Sequence, residues 1–256
     1  MDMATSERSA SAATPRRTAP GQTLADSLRQ AIRLDIVRGR LAPGAPLRTQ
    51  TLCAEYGCSL APLREALSWL AADGLASVES QRGFRVATIS GHEWQDIIAR
   101  RLETETKALT LSIRYGDDCW EGHIVRCAHE YALASQRVLK HSFELDDAWE
   151  GPHRALHIAL VSACRSPWLL KFCSSLYDHS DRYRRLARPP APVLDQLAGS
   201  ENELVAAVLA RKGPLARRLL REHIEEIGRE VLASTLLWDS ASPGAGALGM
   251  RSKDAA

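Results

Sequence analysis

No run in this chain approaches the roughly 18 consecutive apolar residues of a membrane-spanning helix, so no such helix is expected. The opening stretch, MDMATSERSASAATPRRTAP, lacks the apolar centre of a secretory signal, and a cytoplasmic location is the expectation. An excess of either charge is also missing: 33 Lys and Arg stand against 31 Asp and Glu, a formal net charge of +2. That excludes a histone-like polycation coating nucleic acid through bulk charge, so any nucleic-acid site must be local. None of the six cysteines (Cys53, Cys58, Cys119, Cys127, Cys164, Cys173) lies in a C-x-x-C pair, and a chain of 256 residues does not need disulfide staples. Reduced, mostly buried thiols are expected. G-x-S-x-G and P-loop motifs are absent, and so is any repeat at solenoid spacing. What is present is 45% hydrophobic and 25% charged residues, enough to bury a core in one large domain or two modest ones.

Residues 1–22 are Ser, Ala, Thr and Pro with scattered Arg, a composition expected to form a disordered arm, and 239–256 read as a disordered tail. Between them, Leu24, Leu28, Ile32 and Ile36 put one apolar stripe on a first helix ending before Gly39. Pro43, Gly44 and Pro46 force a turn, and Leu47 to Tyr56 is a short second helix broken by Gly57. Ser59 is placed to cap a third helix running to about Asp73, with Pro62 in its first turn and Gly74 where a left-handed C-terminal cap belongs. LASVES and GFRVATI around Ser80–Gly83 read as a β-hairpin. This is the order of a winged helix over 23–90. From about Glu93 helical periods dominate, predicting helices near 93–115, 118–139, 146–164, 166–187, 193–211 and 213–236. The expected fold is mostly α: an N-terminal winged helix-turn-helix plus a C-terminal all-α helical bundle over 93–238. Trp94, Trp120, Trp149 and Trp168 are expected as core or interface anchors.

A helix entering the major groove needs small or polar residues at its tip, a cation on the same face and an apolar back. The third helix meets each requirement with Ser59 and Ala61 at the tip, Arg64 one turn on, and Leu63, Leu67 and Leu70 behind. Arg82 and Arg85 of the hairpin and Arg48 at the start of the second helix are candidate phosphate clamps, and Gly83 lets the hairpin tip approach a duplex closely. Residues 23–90 carry eight Arg against six acids, so arrangement rather than amount must make the surface. The competing reading is a winged-helix protein-interaction scaffold in which Arg64 pairs with an acid of its own helix.

The run PGAPLRTQTLCAEYGCSLAPLREALSWLAADGLASVESQRGFRVA resembles the winged-helix signature of the GntR family of bacterial transcription regulators. Its most specific parts are P-L-R-E-A-L-x-x-L-x-x-D-G-L at 62–75 and R-G-F-R-V at 82–86. The resemblance implies DNA contacts at Arg48, Ser59, Arg64 and Gly83. Many members have an Arg where this chain has Leu60 and a Thr where it has Ala61.

In the second half, His153 and His157 are four residues apart and so lie on one helical face, within reach of a single ion. His223 is a third candidate ligand and Glu201 an acid able to complete the set. The alternative is that these histidines are ordinary structural residues. Residues of roughly 95–235 resemble the all-helical ligand-binding FCD domain of the FadR-like branch of the same family. That pattern has an Asp and a His four apart, then two later His, binding a divalent metal beside a small carboxylate effector. It places His157 on the first family His and His223 on the last, with His153 at the usual Asp and Glu201 near the middle His. Arg100 and Arg101 are candidates to hold an effector carboxylate, or else surface partners of Glu103 and Glu105. Tyr183 and Arg184 in the R-Y-R-R run either line the same cavity or belong to a solvated face.

Taken together these features imply a ligand-responsive regulator, expected as a repressor, that binds palindromic operator DNA as a homodimer, with a divalent metal such as zinc and a small organic acid as effector. A metal-dependent hydrolase is the enzymatic alternative. It is disfavoured because Arg154 follows His153 where an H-E-x-x-H protease needs its Glu base.

Overall fold

The structure is a computed structural model, and it describes residues 23–79, 83–141, 147–187, 191–235 and 237–238. The expected arm and tail, and Arg82, lie outside the described residues. The chain divides into two compact units, one running to Ala87 apart from Val37–Gly39, the other comprising Val37–Gly39 and Thr88 onward.

The first unit contains α1 (Leu24–Val37), β1 (Pro46–Leu47), α2 (Thr49–Tyr56), α3 (Leu60–Ala72), β2 (Ala76–Glu79) and β3 (Gly83–Val86). The predicted order holds, with one addition. Pro46 and Leu47 pair antiparallel with Arg85 and Phe84, so the hairpin is the larger part of a three-stranded sheet ordered β1-β3-β2. A two-residue strand is too short to show alternation in sequence. The apolar stripe of α1 supplies Leu28, Ile32 and Ile36 to a core completed by Leu47, Leu52, Leu63, Ala66, Leu67, Leu70 and Val86. The turn between α2 and α3 is closed by a left-handed Gly57 (φ +61°), with the Cys58 N–H donating to the Cys53 carbonyl at 3.1 Å. Gly74 (φ +77°) ends α3 as expected. Ser59 does occupy the N-cap of α3 with extended backbone, but its side chain makes no capping bond.

The second unit is helical: α4 (Gly91–Tyr115), α5 (Asp118–His141), α6 (Asp147–Val161), α7 (Pro167–Ala187), α8 (Ala191–Leu209) and α9 (Gly213–Ala233). Helix α4 packs on α7, α9 and α6, α5 on α6 and α8, and α8 on α9. Ser90 caps α4, its hydroxyl accepting from the Glu93 N–H at 3.1 Å. Trp94, Trp120 and Trp149 are buried, their indole N–H groups donating to the Gly228 carbonyl, the Ala159 carbonyl and the Ser135 hydroxyl. Trp168 departs from the expectation of a core anchor: it stands exposed at the start of α7, beside Phe172 and Lys171. No described helix is long and apolar enough to cross a membrane. All six cysteines are free thiols; three are buried, two half-buried and Cys119 exposed.

Because Leu67 is fully buried at the centre of the first unit, Leu67→Ala should destabilise that unit by about 2–5 kcal/mol. Denaturant unfolding of the full chain checks this, and a wild-type-like curve would remove Leu67 from the core.

Candidate DNA-reading surface and metal centre

The back of α3 is buried through Leu63, Ala66, Leu67 and Leu70, and this turns Ser59, Leu60, Ala61, Arg64 and Glu65 to solvent. Arg48, at the N-cap of α2, is exposed as well. Neither Arg48 nor Arg64 has an ion-pair partner among the described residues, so the pairing of Arg64 within its own helix does not occur there. Gly83 is exposed at the start of β3 with φ +86°, a left-handed conformation suited to glycine. Arg85 has a different position from the other basic candidates: its guanidinium donates to Glu79 at 2.8 Å and to the Gly44 carbonyl at 2.6 Å. It braces the sheet against the turn before β1.

In the second unit, His153 and His157 from α6 meet Glu201 from α8 and His223 from α9, and one ligand atom from each lies within 4.8 Å of all the others. All four residues are buried. Glu201 Oε1 lies 2.7 Å from His153 Nε2, 3.0 Å from His157 Nε2 and 3.5 Å from His223 Nε2. Burial alone would raise the Glu201 carboxyl, but the charge of His153 and the bonds from His153 and His157 hold it well below the usual carboxylate range. Burial likewise would lower His153, yet the facing Glu201 carboxylate leaves it raised. For the other two histidines burial prevails, lowering His157 and taking His223 down to about 3. The lowered His157 and His223 imidazoles expose the lone pairs a metal uses, His153 would release its proton on coordinating an ion, and Glu201 Oε2 is buried without a hydrogen-bond partner among the described residues. Three nitrogens and one carboxylate are a donor set suited to a divalent first-row ion such as zinc. The residues present therefore fit such an ion.

Around the ligands stands a second set of side chains to which the sequence assigned no role at the cluster. The Tyr177 hydroxyl lies 2.6 Å from His153 Nδ1, Glu150 Oε2 lies 3.5 Å from the same nitrogen, and the His153 ring stacks on Trp149 at 4.6 Å. Glu105 Oε2 is 4.0 Å from His157 Nδ1, and the Ser200 hydroxyl is 3.3 Å from His223 Nδ1. Such partners orient imidazole ligands and select the tautomer that presents the other nitrogen. Spacing offered a signal for two of them: Glu105, four residues from Arg101, and Glu150, three residues before His153 on the same helix. Tyr177 and Ser200 come from other helices, and their approach to His153 and His223 exists only after the bundle packs.

Of the effector candidates, Arg101 and Arg184 are brought to this cluster. Arg101 is buried, pairs with Glu105 at 2.5 Å, donates to Ser180 at 2.8 Å and lies 5.3 Å over the Tyr177 ring. Arg184 is also buried and donates to Glu150 at 2.6 Å and to the Tyr177 hydroxyl at 3.3 Å. The R-Y-R-R run is thus not a solvated face: Arg182, Tyr183 and Arg184 are all buried. Arg100 and Tyr183 are placed elsewhere. Arg100 is exposed and pairs with Glu103 and Asp96, while Tyr183 bonds Glu93 and Ser90 and stacks on Trp94. Adjacent positions on a helix point about 100° apart, which separates Arg100 from Arg101 and Tyr183 from Arg184.

Residues 24–86 match the bacterial regulatory proteins of the gntR family, and residues 96–226 match the FCD domain. The chain belongs to the GntR family. It is similar to the HTH-type transcriptional regulator BphR of Paraburkholderia xenovorans (strain LB400), with 36% identity over 86% of this chain and 89% of that protein. It is also similar to the HTH-type transcriptional repressor GlaR of Escherichia coli (strain K12), with 36% identity over 74% and 87% of the two chains. Among solved structures, E. coli McbR/YncC superposes with a TM-score of 0.69 at 20% identity, covering 80% of this chain and 94% of that one. A GntR regulator from Rhodococcus sp. RHA1 superposes with a TM-score of 0.68 at 18% identity, over 81% and 97%; both show the fold. This GntR member is a transcription regulator with a winged-helix DNA-binding domain and a helical FCD domain, not an enzyme.

The Arg101–Glu105 pair predicts a specific asymmetry. Glu105→Ala leaves a buried guanidinium without its carboxylate and should destabilise the second unit by about 3–5 kcal/mol, whereas combining Glu105→Ala with Arg101→Met should recover much of the loss. Equal melting temperatures for the single and double variants would show that the pair is not the buried contact described.

Proposed function

We propose that this regulator binds palindromic operator DNA as a homodimer and is controlled by a small organic acid that reaches a divalent metal in the FCD domain. The single observation that carries the reading is the buried convergence of His153, His157, Glu201 and His223 within one bundle of a chain that also bears a winged helix. Those four side chains would hold the ion. The family pattern of one acid and three histidines is kept, with the acid moved from the position of His153 to that of Glu201. When bound, the ion supplies a Lewis-acidic point for a carboxylate oxygen.

The chain's own residues do the rest. Tyr177 and Glu150 hold His153 with one nitrogen toward the cluster, and Glu105 does the same for His157. Arg101 and Arg184 supply the positive charge nearest the ligands, already balanced by Glu105 and Glu150. An effector carboxylate would take over part of that pairing, and this exchange links its arrival to the packing of α4, α6 and α7. Arg48, Ser59, Arg64 and Gly83 form the DNA-reading set, with Arg82 beside them in sequence. Two recognition helices on a dimer must match half-sites at a fixed spacing, so an effector that alters this spacing alters DNA affinity without touching a base contact. Repression is supported by the names of relatives: GlaR is a repressor, and a relative from Paenarthrobacter nicotinovorans, 28% identical over 211 residues, is a probable D-xylose utilization operon transcriptional repressor.

The test is fluorescence anisotropy on duplex DNA from upstream of the gene, with scrambled DNA as control, across a salt series. Tight, selective binding that weakens with salt is expected, and Arg64→Ala should cost about 1–3 kcal/mol of specific binding. Unchanged affinity would remove α3 as the reading helix. Salt-independent or absent binding would favour the interaction-scaffold reading. Elemental analysis of the purified protein should find a divalent metal that His157→Ala loses while DNA binding persists; a metal-free wild type would overturn the metal centre.

A further inference from the structure

The surface that α3 turns to solvent carries a feature that phosphate and hydrogen-bond contacts do not account for. Leu60, its first residue, is 48% exposed and Ala61 beside it is exposed too, although the buried face of the same helix has Leu63, Ala66, Leu67 and Leu70 fully enclosed. A single exposed leucine is ordinary on most surfaces. Here its position makes the difference. Leu60 lies one helical turn before Arg64, so the two side chains share a face, and Arg64 on that face has no ion-pair partner among the described residues. The face therefore offers the duplex an apolar group at the tip and a cation one turn behind it.

A leucine pressed into the major groove has no hydrogen bond to offer and displaces water from whatever base edge it meets. Of the groups displayed there, the C5-methyl of thymine is the apolar one, while the N7, O6, O4, N4 and N6 edges are polar and lose hydrogen bonds to water if covered by a side chain that cannot replace them. Resting on the DNA-reading role of α3 given above, we propose that Leu60 reads the 5-methyl group of a thymine in each operator half-site, next to the base contacted by Arg64. The operator thus carries thymine at this step, and the selectivity comes from apolar contact and from rejection of unmatched polar edges. The shared chemistry is a pyrimidine 5-methyl, which thymine and 5-methylcytosine both carry. The proposal commits to thymine.

The experiment uses the full chain and a random-sequence duplex library, which contains thymine but no 5-methylcytosine. Wild type should enrich duplexes with thymine beside the Arg64 contact, and Leu60→Arg should shift that step toward guanine, the base that an arginine fork matches. The enriched duplex is then made with uracil in place of that thymine, which deletes only the methyl. Wild-type affinity should fall about fourfold per half-site, the value of one buried methyl group, whereas Leu60→Ala should bind the thymine and uracil duplexes alike. In a duplex carrying cytosine at the step, 5-methylation should recover part of the affinity for wild type and not for Leu60→Ala. Since Leu60 lies outside the core, the melting temperature of both variants should match wild type. Equal wild-type affinity for the thymine and uracil duplexes overturns the proposal while leaving DNA reading intact. Failure to enrich any duplex whose binding weakens with salt overturns the DNA-reading role itself.

Discussion

A carboxylate sealed inside a helical bundle is tolerable only where proton donors, cations or a metal surround it, and the second unit is arranged around one such group. Glu201 is 1% exposed, yet it sits on α8 facing two imidazoles from α6 and one from α9. Its burial ties three helices to one point. The same demand spreads outward, because each histidine that faces Glu201 turns its other nitrogen to a further polar partner. His153 leads to Tyr177 and Glu150, Glu150 to Arg184, and Arg184 to Asp181, which also accepts from Arg185. Tyr177 sits inside this network with the guanidiniums of Arg101, Arg154 and Arg184 lying 5.1–5.9 Å from its ring centre. A polar interior of alternating sign ties the helices that contribute to it into one network.

The first unit follows the opposite logic. Its interior is apolar, and its few buried polar contacts serve to fix helix against helix, as where the Tyr56 hydroxyl donates to Asp35. Rigidity inside leaves the outer face of α3 free to carry groups chosen for a partner. Arg48 and Arg64 stay exposed without acidic partners among the described residues, whereas Arg85 is used to hold the sheet and Arg29 pairs with Asp73 at the end of α3. Chemically identical guanidiniums thus divide between positioning the surface and forming it.

Much of this was legible in the chain. The four-residue spacing of Leu24, Leu28, Ile32 and Ile36 and the glycines at 57 and 74 gave the helices of the first unit because those signals are local, each set by backbone geometry within a turn. The two-residue strand β1 was not legible, since it exists only through pairing with β3. His153 and His157 announced themselves by sharing a helical face, and the family pattern added Glu201 and His223. The R-Y-R-R run read equally well as solvent-facing because charge in a sequence carries no record of burial: Arg182 and Arg184 are inside only because Glu93, Glu150 and Asp181 meet them from other elements or turns.

The sequence by itself therefore determined the helical order, the winged-helix element, the apolar back of α3 and the shared helical face of His153 and His157, all of which depend on periodicity and short spacings. Only the tertiary structure decided which arginine of each neighbouring pair faces the cluster, that Tyr177 and Glu105 stand behind the histidines, and that Arg85 is bound within its own sheet. The physical reason is that a side chain's role as ligand support, brace or solvent-facing contact is set by the partners and the dielectric around it. Those come from segments tens of residues away that meet only when the helices pack.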